Sequence, residues 1–306
     1  KSTSVGIQLH YKQSSYIEKF LHASFKRYTR DYMTRKHLGQ FILVGFLWGV
    51  PYLFMRVAVR EWPPALVVFG RVLIGSAILF PIAIRRGSVR ESLKGFKWIF
   101  VYAVLEMCGP WYLITHAETK INSGLAGLLV ATVPIWSTIY SSMAGDKSVW
   151  HHKRLLGIII GFLGLVSIVG IETISGAADT FSVLQTVFAA ILYSTAMAII
   201  LRGMPNGDGV AINAIAMAIT AVIFLPSAIG NWPAQTPSLK ATLCLIGLGV
   251  LSTGLAFMVY FNLVKEIGQA RGSMVTYLNT AFAVLLGVIV LGEPLTIGMI
   301  VGLPLV

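Results

Sequence analysis

From residue 39 to the last residue the chain alternates long apolar stretches with short polar breaks. Each stretch of roughly 20 residues is long enough, at 1.5 Å per residue, to cross a hydrocarbon layer of about 30 Å. The pattern predicts helices near 39–59, 64–84, 97–117, 122–143, 154–172, 181–202, 209–230, 240–263, 269–291 and 295–306. These runs are too long for barrel strands, and only helices or closed barrels satisfy every backbone group in lipid. The expected fold is therefore an all-α membrane protein with ten transmembrane helices. The tenth run spans only about a dozen residues, about 17 Å of helix, and reads as a truncated span in which the chain stops mid-helix.

Residues 1–38 break the pattern. Lys19, Lys26, Arg27, Arg30, Arg35 and Lys36 are interleaved there with Tyr16, Phe20, Leu21, Phe25, Tyr28 and Tyr32. No apolar stretch of signal-peptide length interrupts this arm. It reads as a basic cytoplasmic extension, either an amphipathic helix on an anionic membrane surface or a disordered tail.

The pattern also repeats. An offset of 146 aligns Ala103-Val104-Leu105 with Gly249-Val250-Leu251, Arg56 with Arg202, and Pro134 with Thr280, and a one-residue shift aligns Trp48 with Tyr193. A further shift brings Gly145-Asp146 onto Gly292-Glu293, and a GxxxG follows in both copies, Gly157 with Gly161 and Gly298 with Gly302. Two units result, 39–172 and 181–306. An odd number of helices in each makes the second enter the membrane upside down, so the repeats are inverted. Inverted repeats can exchange inward-open and outward-open shapes about a midplane site.

Composition changes the picture by removing the soluble class. The 306 residues are 56% hydrophobic and 12% charged, with mean hydropathy +0.77, whereas soluble domains carry about 25% charged residues. A net charge of +12 would suggest nucleic acid in a soluble chain. Here the cations lie in the arm and in alternate loops, at Arg85, Arg86, Arg90 and Lys94, then Lys147, Lys153 and Arg154, then Arg202, then Lys265 and Arg271. The opposite loops are poor in cations, with Arg60, Lys120 and the boundary Lys240, and one of them holds Glu172 and Asp179 alone. That asymmetry predicts a multi-pass protein of the plasma membrane with both termini in the cytoplasm, and no nucleic-acid partner. Cys108 and Cys244 fall inside apolar runs and read as packing residues.

Trp48-Gly49 with Pro51, Arg71, LAGLLVATVPIW at 125–136 and LGEPLTIGMIVGLPLV at 291–306 resemble the EamA-type transporters of the drug/metabolite transporter superfamily. The resemblance covers residues 39–306. It implies the ten-helix inverted-repeat fold and a substrate carried through a central cavity, and it leaves the cargo open among amino acids, other metabolites and sugar conjugates. Two positions depart from the family pattern, Thr280 where a proline is usual and Asp146 where glutamate is common.

Ionisable side chains at membrane depth cost roughly 2.5–3.5 kcal/mol on insertion scales, so each is a functional candidate. Arg71 and Glu106 lie at depths differing by about 6 Å. On the functional reading Glu106 takes up a proton or binds an amine, while Arg71 faces an anionic group or keeps Glu106 ionised. The other reading is a fixed structural pair. Pro110 can kink the third helix beside the aromatic pair Trp111-Tyr112. Trp48 and its repeat mate Tyr193 are expected to line the cavity. Tyr260, Asn262, Tyr277 and Asn279 supply hydrogen-bonding groups that serve either cargo or helix packing. His116 and Glu118, at the outer boundary, read as solvated loop positions that could titrate during transport.

No GxxxxGK[ST] phosphate loop occurs, so a gradient is the expected energy source. No HExxH occurs, and His151-His152 reads as a topology signal, so neither metal nor cofactor is expected. The leading expectation is a non-enzymatic secondary active transporter that exports a small polar metabolite, an amino acid or drug-like amine, by alternating access. Its partners are the small-molecule substrate and the bilayer, with a homodimer left open. The rival is a nucleotide-sugar or organic-phosphate carrier, whose cargo calls for more deep cations than Arg71. A membrane-embedded enzyme would need its catalytic groups clustered near one interface, and here the candidates are scattered.

Overall fold

The computed structural model describes residues 34–143, 156–157, 159–164, 178–267, 272 and 274–302. Nearly all of the basic arm, most of the span expected at 154–172, Asp146, His151-His152 and the end of the last span lie outside the described residues.

Every regular element among the described residues is helical. Among the described residues, seven helices are long and apolar enough to cross a membrane. They are α1 (Arg35–Ala58), α2 (Pro64–Arg85), α3 (Phe96–Ala117), α4 (Ser123–Tyr140), α5 (Thr180–Gly203), α6 (Gly209–Gly230) and α7 (Leu239–Ile267). A shorter apolar helix, α8 (Val275–Leu291), and the single described turn and a half of α9 (Ile297–Gly302) follow. The starts obey local chemistry: the Thr34 hydroxyl accepts the His37 N–H, and Asp179, Asp208 and Ser238 cap α5, α6 and α7 with their side chains. The bundle is apolar outside as well as inside. Ile84, Val222, Leu239 and Ile289 stand exposed on outward faces, which water would penalise and lipid does not.

Three helices are irregular, and each has a cause. In α3 the segment Ala103–Cys108 is a π-helix. Pro110 has no N–H for the carbonyl four residues back, and the Gly109 N–H reaches instead to the Val104 carbonyl. In α7 a second π segment, Leu248–Leu255, has the Thr253 hydroxyl donating to the Leu248 carbonyl at 2.9 Å. α4 is interrupted after Val130 and resumes at Val133, with Pro134 just past the break. The Thr132 hydroxyl takes up the Leu129 carbonyl at 2.7 Å, and the Ser194 hydroxyl from α5 reaches the Val133 carbonyl at 2.9 Å. α8 stays unbroken where α4 breaks. Thr280, in place of the usual proline, keeps its N–H and donates its hydroxyl to the Thr276 carbonyl at 2.9 Å.

α1 packs along α8 and α7, α2 along α6 and α7, α5 along α3 and α4, and α8 also against α4. Close crossings are made by small residues. A Cβ on Gly49 would lie 2.9 Å from the Asn279 carbonyl oxygen, and one on Gly127 would lie 2.6 Å from the Cβ of Ala283. Among the described residues the buried core falls into two large clusters and a small one of Val44, Tyr260 and Val275. One large cluster, with Ala58, Trp62, Ala117, Ile121, Leu125 and Leu245, fills one end of the bundle. The other large cluster, with Leu79, Ile99, Tyr102 and Val210, sits toward the opposite end.

Candidate substrate cavity

A cavity of about 590 Å³ opens along the middle of the bundle, within the size range of small-molecule sites. α1 contributes Trp48, Pro51, Tyr52 and Met55, spaced so that one helical face meets the space. α3 contributes Tyr102, Glu106, Trp111 and Ile114, and α5 contributes Tyr193 and Met197. Asn213 enters from α6, Phe257 and Tyr260 from α7, and Asn279 from α8. The lining continues to Met204, Pro205, Gly207 and Lys265 at one end, where Pro205 and Lys265 are exposed. At the other end it stops at Met55, Ile114 and Val130. Beyond those residues lies the packed cluster around Ala58, Ala117 and Ile121, so the cavity is open at one end and closed at the other.

Arg71 is buried in this wall, 7% exposed. Its guanidinium carbon lies 3.8 Å from the centroid of the Trp111 ring, and its Nε–H donates to the Thr253 hydroxyl at 2.9 Å. The flat cation thus gains a π face and a hydroxyl in place of water. The π segment of α7 serves this contact, because the Thr253 hydroxyl gives its own proton to the Leu248 carbonyl and so accepts from Arg71. The other π segment holds Glu106, whose Oε2 is buried without a hydrogen-bond partner. No ion pair joins Arg71 to Glu106 among the described residues, so the fixed structural pair is not formed. The two groups are held separately, each beside a widened turn.

Neighbouring polar groups are ordered. The Tyr102 hydroxyl donates to Asn213 Oδ1 at 3.2 Å, and the Asn213 amide donates to the Gly209 carbonyl at 2.9 Å. Trp48 packs against Tyr260, with ring centroids 4.6 Å apart, and against Phe257 at 5.5 Å. Asn279 Oδ1 accepts the Thr280 hydroxyl at 3.3 Å.

Of the residues singled out in the sequence, Glu106, Arg71, Trp48, Trp111, Tyr193, Tyr260 and Asn279 line this one cavity. Tyr112 does not. It lies on the other side of α3, where its ring stacks on His116 and meets Phe224 of α6. Tyr277 and Asn262 face outward as well. Tyr52, Tyr102, Asn213 and Phe257 were missed, although the i, i+3, i+4 spacing of Tyr52 from Trp48 is a signal that could have found the first. Glu118 is the sharpest correction. It was expected in a solvated loop, yet it is completely buried, and neither carboxyl oxygen has a hydrogen-bond partner.

Comparison with known proteins agrees with this architecture. The model of the EamA-like transporter family matches residues 37–170 and again 180–306. The uncharacterized transporter YoaV of Bacillus subtilis (strain 168) is 28% identical over 281 residues, 88% of this chain and 93% of its own length. The uncharacterized inner membrane transporter YedA of Escherichia coli (strain K12) is 24% identical over 84% of each chain. A crystal structure of another protein superposes with a TM-score of 0.64 over 89% of this chain and 94% of that one, at 17% identity, a likeness of fold alone. Two family matches that together span the helical bundle, and relatives that are named transporters along nearly their whole length, make this multi-pass membrane protein a member of the EamA-like transporter family.

Proposed function

We propose that the protein is a gradient-driven carrier that exports a small polar metabolite, an amino acid or drug-like amine, by alternating access. The observation that carries this reading is the cavity itself: open at one end, closed at the other, and walled by aromatics around one separately held cation and one under-bonded carboxyl. Glu106 meets an amine or a proton there, and Arg71 faces an anionic group of the cargo. With Lys265 at the mouth as the one further lining cation among the described residues, the wall offers little to the multiple charges of a nucleotide sugar or phosphate ester.

Alternating access further supposes ten helices in two inverted units, 39–172 and 181–306. The packing supports that supposition. The offset of 146 carries α1 to α5, α2 to α6, α3 to α7 and α4 to α8. Under it the α1–α8 contact becomes α5–α4, and the α2–α7 contact becomes α6–α3, and all four are made. It also carries Ala103, which begins one π segment, to Gly249 inside the other. In the orientation with the N-terminus in the cytoplasm of a plasma-membrane protein, the open mouth lies on the side of Arg85, Arg86, Arg202 and Lys265, the side a loading exporter presents to its cargo.

Metabolite profiling of cells with and without the gene identifies the cargo, and Glu106→Gln then tests the mechanism. The variant is expected to fold and insert yet lose net export. Undiminished export by that variant would remove Glu106 from the mechanism.

A further inference from the structure

Glu118 follows the last turn of α3 at the closed end of the bundle and is 0% exposed, with both carboxyl oxygens unpartnered. The cation nearest to it is already engaged. Arg56 of α1 donates through Nη1 to the backbone carbonyl of Glu118, and its Nε lies 3.7 Å from Glu293 Oε1. Glu293, just past α8, also accepts the Ser123 N–H at 3.1 Å, the Ser123 hydroxyl at 2.7 Å and the Gly124 N–H at 3.3 Å. These donors form the first turn of α4, where a negative charge is favoured. Glu293 is therefore fully engaged and takes up Arg56, and no hydrogen bond remains for the carboxyl of Glu118.

An ionised carboxylate without partners is strongly disfavoured in such a place, so burial favours the neutral form of Glu118 while this end is shut. Burial pushes its carboxyl well above the usual carboxylate range; Glu293 pushes the same way, and Arg56 and Arg71 oppose. Tyr52 of α1 is the other titratable group that senses its charge.

We propose that Glu118 is a proton-binding site that ties the closing of this end of the cavity to the pH of the compartment it faces. When the end opens, water reaches the carboxyl, and the proton leaves its oxygen for solvent. When the end shuts, one proton is taken up again from the same side. The site is separate from Glu106, which lines the cavity and meets the cargo, and it rests on the alternating-access reading. The sign follows from linkage. The closed state binds its proton more tightly than the open state, so its advantage is complete below the ordinary glutamate value and is lost as pH rises through the closed-state value. With one proton exchanged, the ratio of open to closed changes by up to about tenfold per pH unit between those two values.

The test needs no cargo. In a Cys108→Ser, Cys244→Ser background, Met55→Cys places a thiol on the last lining residue before the closed end. A membrane-impermeant maleimide is applied to intact cells and to inside-out vesicles, and the ratio of labelling rates from the closed and open faces is followed with pH, which cancels the ionisation of the thiol itself. The ratio is expected to rise with pH by up to about tenfold per unit, and to stay low and flat in Glu118→Gln, a neutral isostere of the protonated side chain. A second variant, Glu293→Gln, removes the neighbouring charge that favours proton uptake and should move the midpoint of the rise to lower pH. A flat ratio in the parent, an equal slope in Glu118→Gln, or an unmoved midpoint in Glu293→Gln overturns the proposal while the carrier reading stands. Labelling from the open face alone, at every pH and in every variant, overturns both.

Discussion

Arg71 keeps a full charge inside the bundle because one aromatic face and one hydroxyl replace its water. Both contacts depend on shape as well as charge. Lysine lacks the flat face that stacks on Trp111 and the Nε–H that reaches Thr253, so Arg71→Lys is expected to destabilise the protein by about 1–2 kcal/mol. The loss should appear as a lower melting temperature of the purified protein in detergent; an unchanged melting curve would mean that the stack holds nothing together. Arg71 and Glu106 were legible in the sequence because a charge within an apolar run is conspicuous. Their separation was not, since depth along two helices says nothing about the angle at which each side chain leaves its axis. Glu118 was misjudged for a related reason. It sits one residue past the apolar run, where loops are usually wet. Arg56, 62 positions away in sequence, holds its backbone carbonyl and reaches Glu293 after α8, partners that the linear pattern does not bring together.

At the scale of elements, the apolar runs located the seven described spans to within a few residues, because length and hydropathy are dictated by the membrane itself. α7 runs on to Ile267, four residues past the expected end at 263, and α8 is described from Val275. The interruptions were half legible. Pro110 announces the irregular turn of α3, but Pro51 sits inside an unbroken α1, the break of α4 beside Pro134 was not foreseen, and no proline marks the π segment of α7, which is held by the Thr253 hydroxyl. The turn after α8 shows how finely one junction is shaped. Gly292 has φ of 66°, a left-handed conformation suited to glycine, and it turns the chain so that the Glu293 N–H meets the Gly287 carbonyl at 3.1 Å. Gly287 leaves room for the carboxylate of Glu293. An added Cβ would lie 2.5 Å from its Oε2 and 2.8 Å from the Ser123 hydroxyl. Gly287→Ala should therefore dislodge Glu293 from α4 and cost about 1–3 kcal/mol. Thermal unfolding in detergent checks this, and a variant as stable as the parent would show that the anchor carries no energy.

For the whole molecule, the two ends differ in how they are fastened. Glu61, in the turn between α1 and α2, accepts both the N–H and the hydroxyl of Ser238 at the start of α7, the latter at 2.7 Å. Trp62 meets the Trp232 ring edge-on at 5.5 Å beside it. The Ser238 bonds hold the Glu61 carboxyl below the usual glutamate range. This fastening is accordingly present above the ordinary glutamate value and fades only as pH falls below it. Glu61→Ala with Trp232→Ala should loosen the closed end at neutral pH, raising closed-face labelling of Met55→Cys severalfold over the parent. Equal labelling would mean that the end is kept shut by the apolar cluster alone. Motion in such a bundle needs length to spare, and loops cannot lend it to the middle of a membrane. The π segments of α3 and α7 hold that reserve where it is needed. Each stores an extra residue within a continuous helix, and moving it along by one turn would rotate the residues it passes by about 100° while both helix ends stay anchored. Glu106, which faces the cavity, and Thr253, which holds Arg71 in its wall, sit within those two reserves, so the carboxyl and the cation of the site are the groups this hidden slack can turn.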